Sequence, residues 1–409
     1  MNGFIMTILS FVMSIISTIS LTFTPLTEEI IKSNYDYARS FDKVVYEEQL
    51  VPTEEEHGWT FTTDREFKIV QLTDVHIGGG TFSKQKDRRA LNAVAAMITA
   101  EKPDLVVITG DMAYPVPFQA GTFNNSLSTE MLIELLETLG VYYAVVFGNH
   151  DAEFYGTHDR EAVAKLWGAD DLKYSLFKEG PADVDGFGNY IIKVKGTDGK
   201  VKNAFFMIDS HDYTDGDVLG VMWKYDNIHE NQIAWYKENV LAIDAANKAI
   251  DPEAEMFTSL AFFHIPLEEY GMAWNEYAAN GYKDTANVKY KGGYFHEDDE
   301  KSYPGIYPEQ LFETMLELGS TKATFCGHDH INNAILEYKG INLVYGMSID
   351  YLAYTDLNSK GAQRGCTVIE LGADGELKNI SLENYYQDKY PSKYEKESVD
   401  MQWDVNIYG

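Results

Sequence analysis

Three polar motifs, each standing directly behind an apolar run, constrain this chain more than any other feature. The run Phe67–Leu72 leads into Thr73-Asp74-Val75-His76, Leu105–Thr109 into Gly110-Asp111, and residues 141–147 into Gly148-Asn149-His150-Asp151. Apolar runs of this length, bounded by Gly and Asp, read as buried strands. Between them the period changes. Leu91, Val94 and Met97 recur at helical spacing within residues 86–101, and Met131, Leu132, Leu135 and Leu136 do so within residues 126–139. Strand, helix, strand, helix, strand is the order of βαβ units, which build a parallel sheet with helices against its face. Ligands collect beyond the carboxyl ends of such strands. Asp74, Asp111 and Asn149 are therefore predicted to converge on one sheet edge.

The second half carries further strand-like runs at residues 190–194, 204–209, 256–263, 324–326, 342–345 and 367–371, which imply a second sheet. Helical stretches at residues 230–246 and 308–318 would cover its outer face, leaving two sheets inside and helices outside. Residues 267–307, rich in Gly and Tyr and without clear periodicity, read as a long surface loop. A chain of 409 residues with 45% hydrophobic residues and no fixed-period repeat buries a large core, and one compact domain is expected over residues 66–385. Ahead of it, residues 25–65 form an acidic leader expected to be irregular. Residues 386–409 read either as a docked tail or as a disordered end.

The run from Phe4 to Phe23 holds no charge and is interrupted only by Ser and Thr. Residues 1–24 accordingly read as a signal peptide or a membrane anchor, and the protein is expected to be exported, secreted or anchored at the cell surface. Membrane contact is expected only through that segment. The 64 acidic residues against 33 basic ones give a formal charge of −31, which repels DNA, RNA and anionic lipid and makes nucleic acid a poor partner. Cys326 and Cys366 both fall in core-strand runs, so buried thiols are expected over a disulfide.

Two later strand ends carry the same kind of residue: His264 in Phe-Phe-His-Ile-Pro, and Gly327-His328-Asp329-His330. Carboxylate, amide oxygen and imidazole together suit Mn, Fe or Zn, whereas a thiolate site would need cysteines that these motifs lack. Five strand ends carrying Asp74, His76, Asp111, Asn149, His264, His328 and His330 point to a metal site. His57, His158, His211, His229 and His296 stand outside these motifs and are left as packing or solvent residues. Asp104 reads as a strand-start residue behind Pro103, and Asp329 points away from its two histidine neighbours in an extended segment.

The motif order D-x-H, G-D, G-N-H-D, H, G-H-x-H resembles the calcineurin-like metallophosphoesterase superfamily, over residues 68–382. Tyr225-Asp226-Asn227-Ile228 ahead of Gln232-Ile233-Ala234-Trp235, with FFHIPLEEY, GHDHINN and INLVYG, is similar to its purple-acid-phosphatase-29 and yeast Dcr2-type branch. The resemblance implies a four-layer α/β/β/α sandwich, two mixed sheets flanked by helices, that hydrolyses phosphoric esters with two metal ions. Asp74, His76 and His330 would hold one ion, Asn149, His264 and His328 the other, and Asp111 would bridge them. Two dications less two carboxylates leave a net positive site that attracts phosphate even in an acidic protein. Such a metal pair lowers the pKa of a shared water, giving a bridging hydroxide for in-line attack on the phosphorus. His150, beside a ligand but outside both sets, would protonate the leaving oxygen, and Asp151 would orient its ring. Tyr114 stands at the G-D-x-x-Y spacing of the iron-binding tyrosine of purple acid phosphatases. His76 already fills that coordination position, so Tyr114 reads as a wall or packing residue. The resemblance favours a phosphomonoester substrate, a phosphorylated small molecule or a phosphoprotein. A phosphodiesterase or nucleotide pyrophosphatase is the alternative, since the tyrosines of residues 270–303 would stack a nucleoside. A non-catalytic, metal-stabilised surface binding protein is the third reading.

Overall fold

The computed structural model describes residue 29 and residues 31–217, 220–399 and 405–407. The apolar segment 1–24 lies outside the described residues; among these, no helix is long and apolar enough to cross a membrane. The strands in chain order are β1 (Thr53–Glu55), β2 (Gly58–Thr62), β3 (Phe67–Leu72), β4 (Leu105–Thr109), β5 (Tyr143–Val146), β6 (Tyr190–Lys195), β7 (Val201–Met207) and β8 (Thr258–Phe262). They continue with β9 (Val288–Phe295), β10 (Thr321–Cys326), β11 (Asn332–Tyr338), β12 (Ile341–Tyr345), β13 (Gly365–Leu371), β14 (Leu377–Asn384) and β15 (Val405–Asn406). The helices are α1 (residues 31–38), α2 (Lys84–Glu101), α3 (Pro117–Ala120), α4 (Asn125–Leu139), α5 (Arg160–Trp167), α6 (Glu230–Ile250), α7 (Glu268–Ala279) and α8 (Leu311–Leu318).

Two mixed sheets result, one in the order β15-β14-β13-β3-β4-β5 and the other β1-β2-β6-β7-β8-β10-β12-β11-β9. The predicted parallel trio β3, β4, β5 lies in the first, and β7, β8, β10, β12 form a parallel run in the second. Period-two alternation decides what each face meets. Phe205, Met207, Leu260, Phe262, Ala323 and Phe325 join the core between the sheets, where Phe67 and Phe205 pack with ring centroids 5.8 Å apart. Their neighbours Phe206 and Ala261 turn outward and are covered by Trp235, Tyr236 and Val240 of α6 and Phe312 and Met315 of α8. Helices α2 and α4 cover the first sheet with Leu91, Val94, Leu132 and Leu136. The expected four layers, helix, sheet, sheet, helix, are present.

Three expectations are corrected, and one open alternative is decided. The leader is not irregular throughout: within residues 31–65 it supplies α1 and the edge strands β1 and β2, where Phe61 is fully buried against Phe67 and Tyr142. Trp59 and Phe61 alternate with threonines at strand period, and the preceding glutamates hid that signal. Residues 267–307 are not one loop. Tyr270, Ala273, Trp274 and Tyr277 recur at helical spacing in α7, and Trp274 stacks on Phe295 of β9 at 4.6 Å. Strand β9 hides its period because Gly292 and Gly293 sit at a register shift against β11. The run 367–371 belongs to the first sheet, antiparallel to β3, with Val368 opposite Val70. The tail docks: Val405 pairs with Leu382, and Lys393 N donates to Asn92 Oδ1 at 3.0 Å. Cys326 and Cys366 are buried free thiols, as expected.

Candidate metal centre

All five motifs end at one rim, where the carboxyl ends of parallel strands of both sheets meet. Asp74 and His76 follow β3, Asp111 follows β4 and Asn149 follows β5; His264 follows β8, and His328 and His330 follow β10. The chain must turn sharply there, and Asp74, His76, Asp111 and His328 all hold left-handed backbone, with φ of 49°, 49°, 50° and 77°. Such conformations cost of order 1 kcal/mol each and concentrate at functional sites. Two motif glycines allow the loops to nest. A Cβ on Gly148 would stand 2.1 Å from Asp111 Oδ1, and one on Gly327 1.9 Å from Thr73 Oγ1.

The donor atoms fall into two groups that share one carboxylate. Asp111 Oδ2 lies 3.2 Å from His76 Nε2 and 3.3 Å from His264 Nε2. On one side, Asp74, His76, Asp111 and His330 each present a donor atom, all within 4.8 Å of one another and all buried. On the other, Asn149 Oδ1 is 3.2 Å from His264 Nε2 and 2.9 Å from His328 Nδ1, and those two nitrogens are 3.3 Å apart. Ligands bound at about 2.1 Å around one ion stand roughly 3 to 3.4 Å from each other, so these spacings fit an ion in each group. The ring nitrogens are sorted for the same purpose. His264 Nδ1 is 2.8 Å from the Thr109 carbonyl, which turns Nε2 inward. His76 Nδ1 and His330 Nδ1 face Asp350 Oδ2 at 3.3 and 3.2 Å, somewhat off the ideal hydrogen-bond direction. An acceptor behind the distal nitrogen fixes a ligating imidazole's tautomer and orientation.

Charge in the cluster suits a cation. Burial alone would lower His76 and His264, yet the carboxylates of Asp350 and Asp111 hold His76 well above its ordinary value, and Asp111 lifts His264 to about 9. Buried carboxylates here balance their charge with protons on histidine, or with metal.

The family is decided by the chain from β3 to the start of β11. The Calcineurin-like phosphoesterase family profile matches residues 67–332, well over half of the sequence. The chain belongs to the calcineurin-like phosphoesterase family. It is 28% identical over 364 residues to the Arabidopsis thaliana "Probable inactive purple acid phosphatase 29", covering 81% of this chain and 85% of that one. It is 31% identical over 304 residues to "Phosphatase DCR2" of Saccharomyces cerevisiae, covering 67% of this chain and 46% of that one. Among solved structures, a dimetal phosphatase from Danio rerio superposes with a TM-score of 0.45 at 11% identity, over 83% of this chain and 98% of that one.

In this calcineurin-like phosphoesterase all seven metal-type residues named from the sequence stand in the cluster. One orienting residue does not do what was expected. Asp151 does not face the His150 ring; its carboxylate accepts from the backbone N–H of Asp111, Met112, Ala113 and Gly148 at 2.8–3.0 Å and so clamps two strand-end loops together. The next acid in the chain, Glu153, takes the expected place: its Oε1 lies 2.6 Å from His150 Nδ1. A carboxylate following G-N-H-D was visible in the sequence, but the turn that brings residue 153 back to residue 150 was not. Asp350 was missed because Met347 and Ile349 frame it as one more apolar strand end. Tyr114 lies flat on His76, with centroids 4.7 Å apart, and edge-on to His150, as a wall residue does. Asp329 is buried, taking hydrogen bonds from the Tyr345 hydroxyl at 2.6 Å and the Tyr303 N–H at 3.1 Å, beside the ligand set and not in it. His211 stacks on His229 at 4.1 Å and meets Gln232 Oε1 at 2.9 Å, a role in packing the loop beyond β7.

Proposed function

We propose that this chain is a dinuclear-metal phosphomonoesterase, on one observation above all: two donor sets at ligand spacing that share a single oxygen of Asp111. A metal pair held there, Mn, Fe or Zn, would supply Lewis acidity toward the phosphoryl oxygens and activate the attacking water. The protein's own side chains supply the rest. Asp74, Asp111, Asn149 and the four histidines would hold the ions, with His264 oriented by the Thr109 carbonyl and His76 and His330 by Asp350. His150, with Nδ1 held by Glu153, is left with Nε2 to donate a proton to the leaving alcohol. A cavity of about 370 Å³ lined by Asp111, His150, His328 and His330 gives the ester access.

Some relatives carry the word inactive in their names and one is named a phosphatase. Activity is favoured here because no ligand-type residue, nor His150, is missing from the cluster. The aromatic cavity wall favours a second reading, a phosphodiesterase or nucleotide pyrophosphatase that stacks a base. Export through residues 1–24 and a phosphorylated small molecule or phosphoprotein as substrate complete the proposal.

Metal-depleted protein titrated with Mn, Fe and Zn is expected to recover p-nitrophenyl phosphate hydrolysis as two ions bind. Asp111→Asn should then abolish the recovered rate, and His150→Ala should reduce it by about 10²- to 10⁴-fold. Two bound ions with cleavage of only the bis(p-nitrophenyl) ester would replace this reading by the diesterase, and cleavage of neither ester by the non-catalytic binding protein.

A further inference from the structure

The cavity over the metal centre has two electrostatic halves. Its floor is the cation-holding cluster. Its walls are aromatic and acidic, and among the described residues no lysine or arginine lines it. Three tyrosines of the wall donate their hydroxyls to wall carboxylates: Tyr354 to Glu297 at 3.3 Å, Tyr303 to Asp298 at 2.6 Å and Tyr213 to Glu153 at 3.3 Å. Glu153 is matched by His150, but Glu297 and Asp298 face the cavity without a basic partner among its lining residues. A phenol that donates to a carboxylate has a more electron-rich ring, and such a face attracts cations. Tyr354 already carries such a cation, with the Lys360 ammonium 4.9 Å from its ring centroid, which leaves Tyr303, bonded to Asp298, for a cation from outside. Tyr354 also lies 4.4 Å from the His330 ring, so the acidic, aromatic wall begins at the metal ligands themselves.

We infer that the substrate is a zwitterionic phosphomonoester whose phosphate sits on the metal centre while a compact ammonium group on its alcohol is held by Tyr303, Glu297 and Asp298. The inference rests on the phosphomonoesterase reading and narrows it. In the reaction a water oxygen joins phosphorus and gives up one proton to solvent, the ester P–O bond breaks, and the alkoxide takes the proton delivered from His150, which solvent then restores; the ammonium group is unchanged. The wall disfavours polyanionic leaving groups such as nucleotides and acidic phosphopeptides by like-charge repulsion.

The test compares phosphocholine with 3,3-dimethylbutyl phosphate, its uncharged isostere, on the metal-loaded full chain, with p-nitrophenyl phosphate as reference. A kcat/KM at least tenfold higher for phosphocholine is expected. Asp298 is exposed, so Asp298→Lys should fold normally and bring the ratio to one or below, with Tyr303→Leu lowering it severalfold. Equal kcat/KM for the two esters, or a ratio unmoved by Asp298→Lys, would overturn the inference while p-nitrophenyl phosphate hydrolysis left the phosphatase reading intact. If no ester is cleaved the phosphatase reading fails, and calorimetry with tetramethylammonium then decides the wall. Binding that is lost in Asp298→Lys upholds the cation site, and no binding removes it.

Discussion

Two acids three residues or fewer from His150 do opposite work. Asp151 faces away from the His150 ring and accepts from four buried backbone N–H groups, so its removal strands donors that water cannot reach. Each orphaned group costs about 1–3 kcal/mol. Asp151→Ala is expected to lower the melting temperature markedly and to lose activity only as a consequence of loosened loops. Glu153 touches the ring and little else that holds the fold. Glu153→Gln is expected to leave the melting temperature nearly unchanged while kcat falls about 10- to 100-fold with KM nearly constant. Thermal melts beside steady-state kinetics on both variants check the pair; a Glu153→Gln protein with normal kcat would remove Glu153 as the positioning residue for His150.

At the scale of elements, α5 is held to the site by one buried ion pair. Arg160, its first residue, donates Nε to Asp209 Oδ2 at 3.0 Å and Nη1 to the Gly148 carbonyl at 3.1 Å, tying the helix to the turns that follow β7 and β5. Burial alone would raise Asp209, but the Arg160 guanidinium holds it below its ordinary value. A carboxyl depressed in the folded state contributes stability that is complete above its unfolded pKa, about 3.9, and is lost as pH falls through the lower folded value. Asp209→Asn should therefore be less stable at neutral pH, by about 3 kcal/mol at most, because it leaves the guanidinium only the more distant Asp212 carboxylate, 3.9 Å away. Its deficit against the parent should shrink below about pH 4, as denaturant melts across pH would report. The β3–β4–β5 trio, α2, α4 and all seven metal-type residues were legible because long apolar periods and strand-end motifs are local signals. Strands β1, β2 and β9, the place of β13 and the partners Glu153, Asp209 and Asp350 were not, since each is settled by pairing with residues far along the chain or by the path of a turn.

For the whole molecule the dominant quantity is charge. A net −31 surrounds the candidate metal centre, so with ions bound there an anionic ester would approach against a repulsive field before it met an attractive one. Added salt screens the long-range part first, with a Debye length of about 10 Å at 0.1 M. kcat/KM for p-nitrophenyl phosphate is expected to rise severalfold between low and physiological ionic strength while kcat stays level; a fall in kcat/KM would mean that the local field of the centre dominates the approach.

The pairing of β13 with β3 also sets a timetable for biosynthesis. Val70 waits for Val368, about 300 residues later, before its open side is covered. At roughly 5–20 residues per second a ribosome takes about 15 to 60 s over that interval. For all of it, one flank of the strand that will carry Asp74 and His76 is an unpaired edge, and a nascent chain in that state is what cellular holdases recognise. Yield in a foreign host should thus depend more on what shelters the first hundred residues than on the stability of the finished protein.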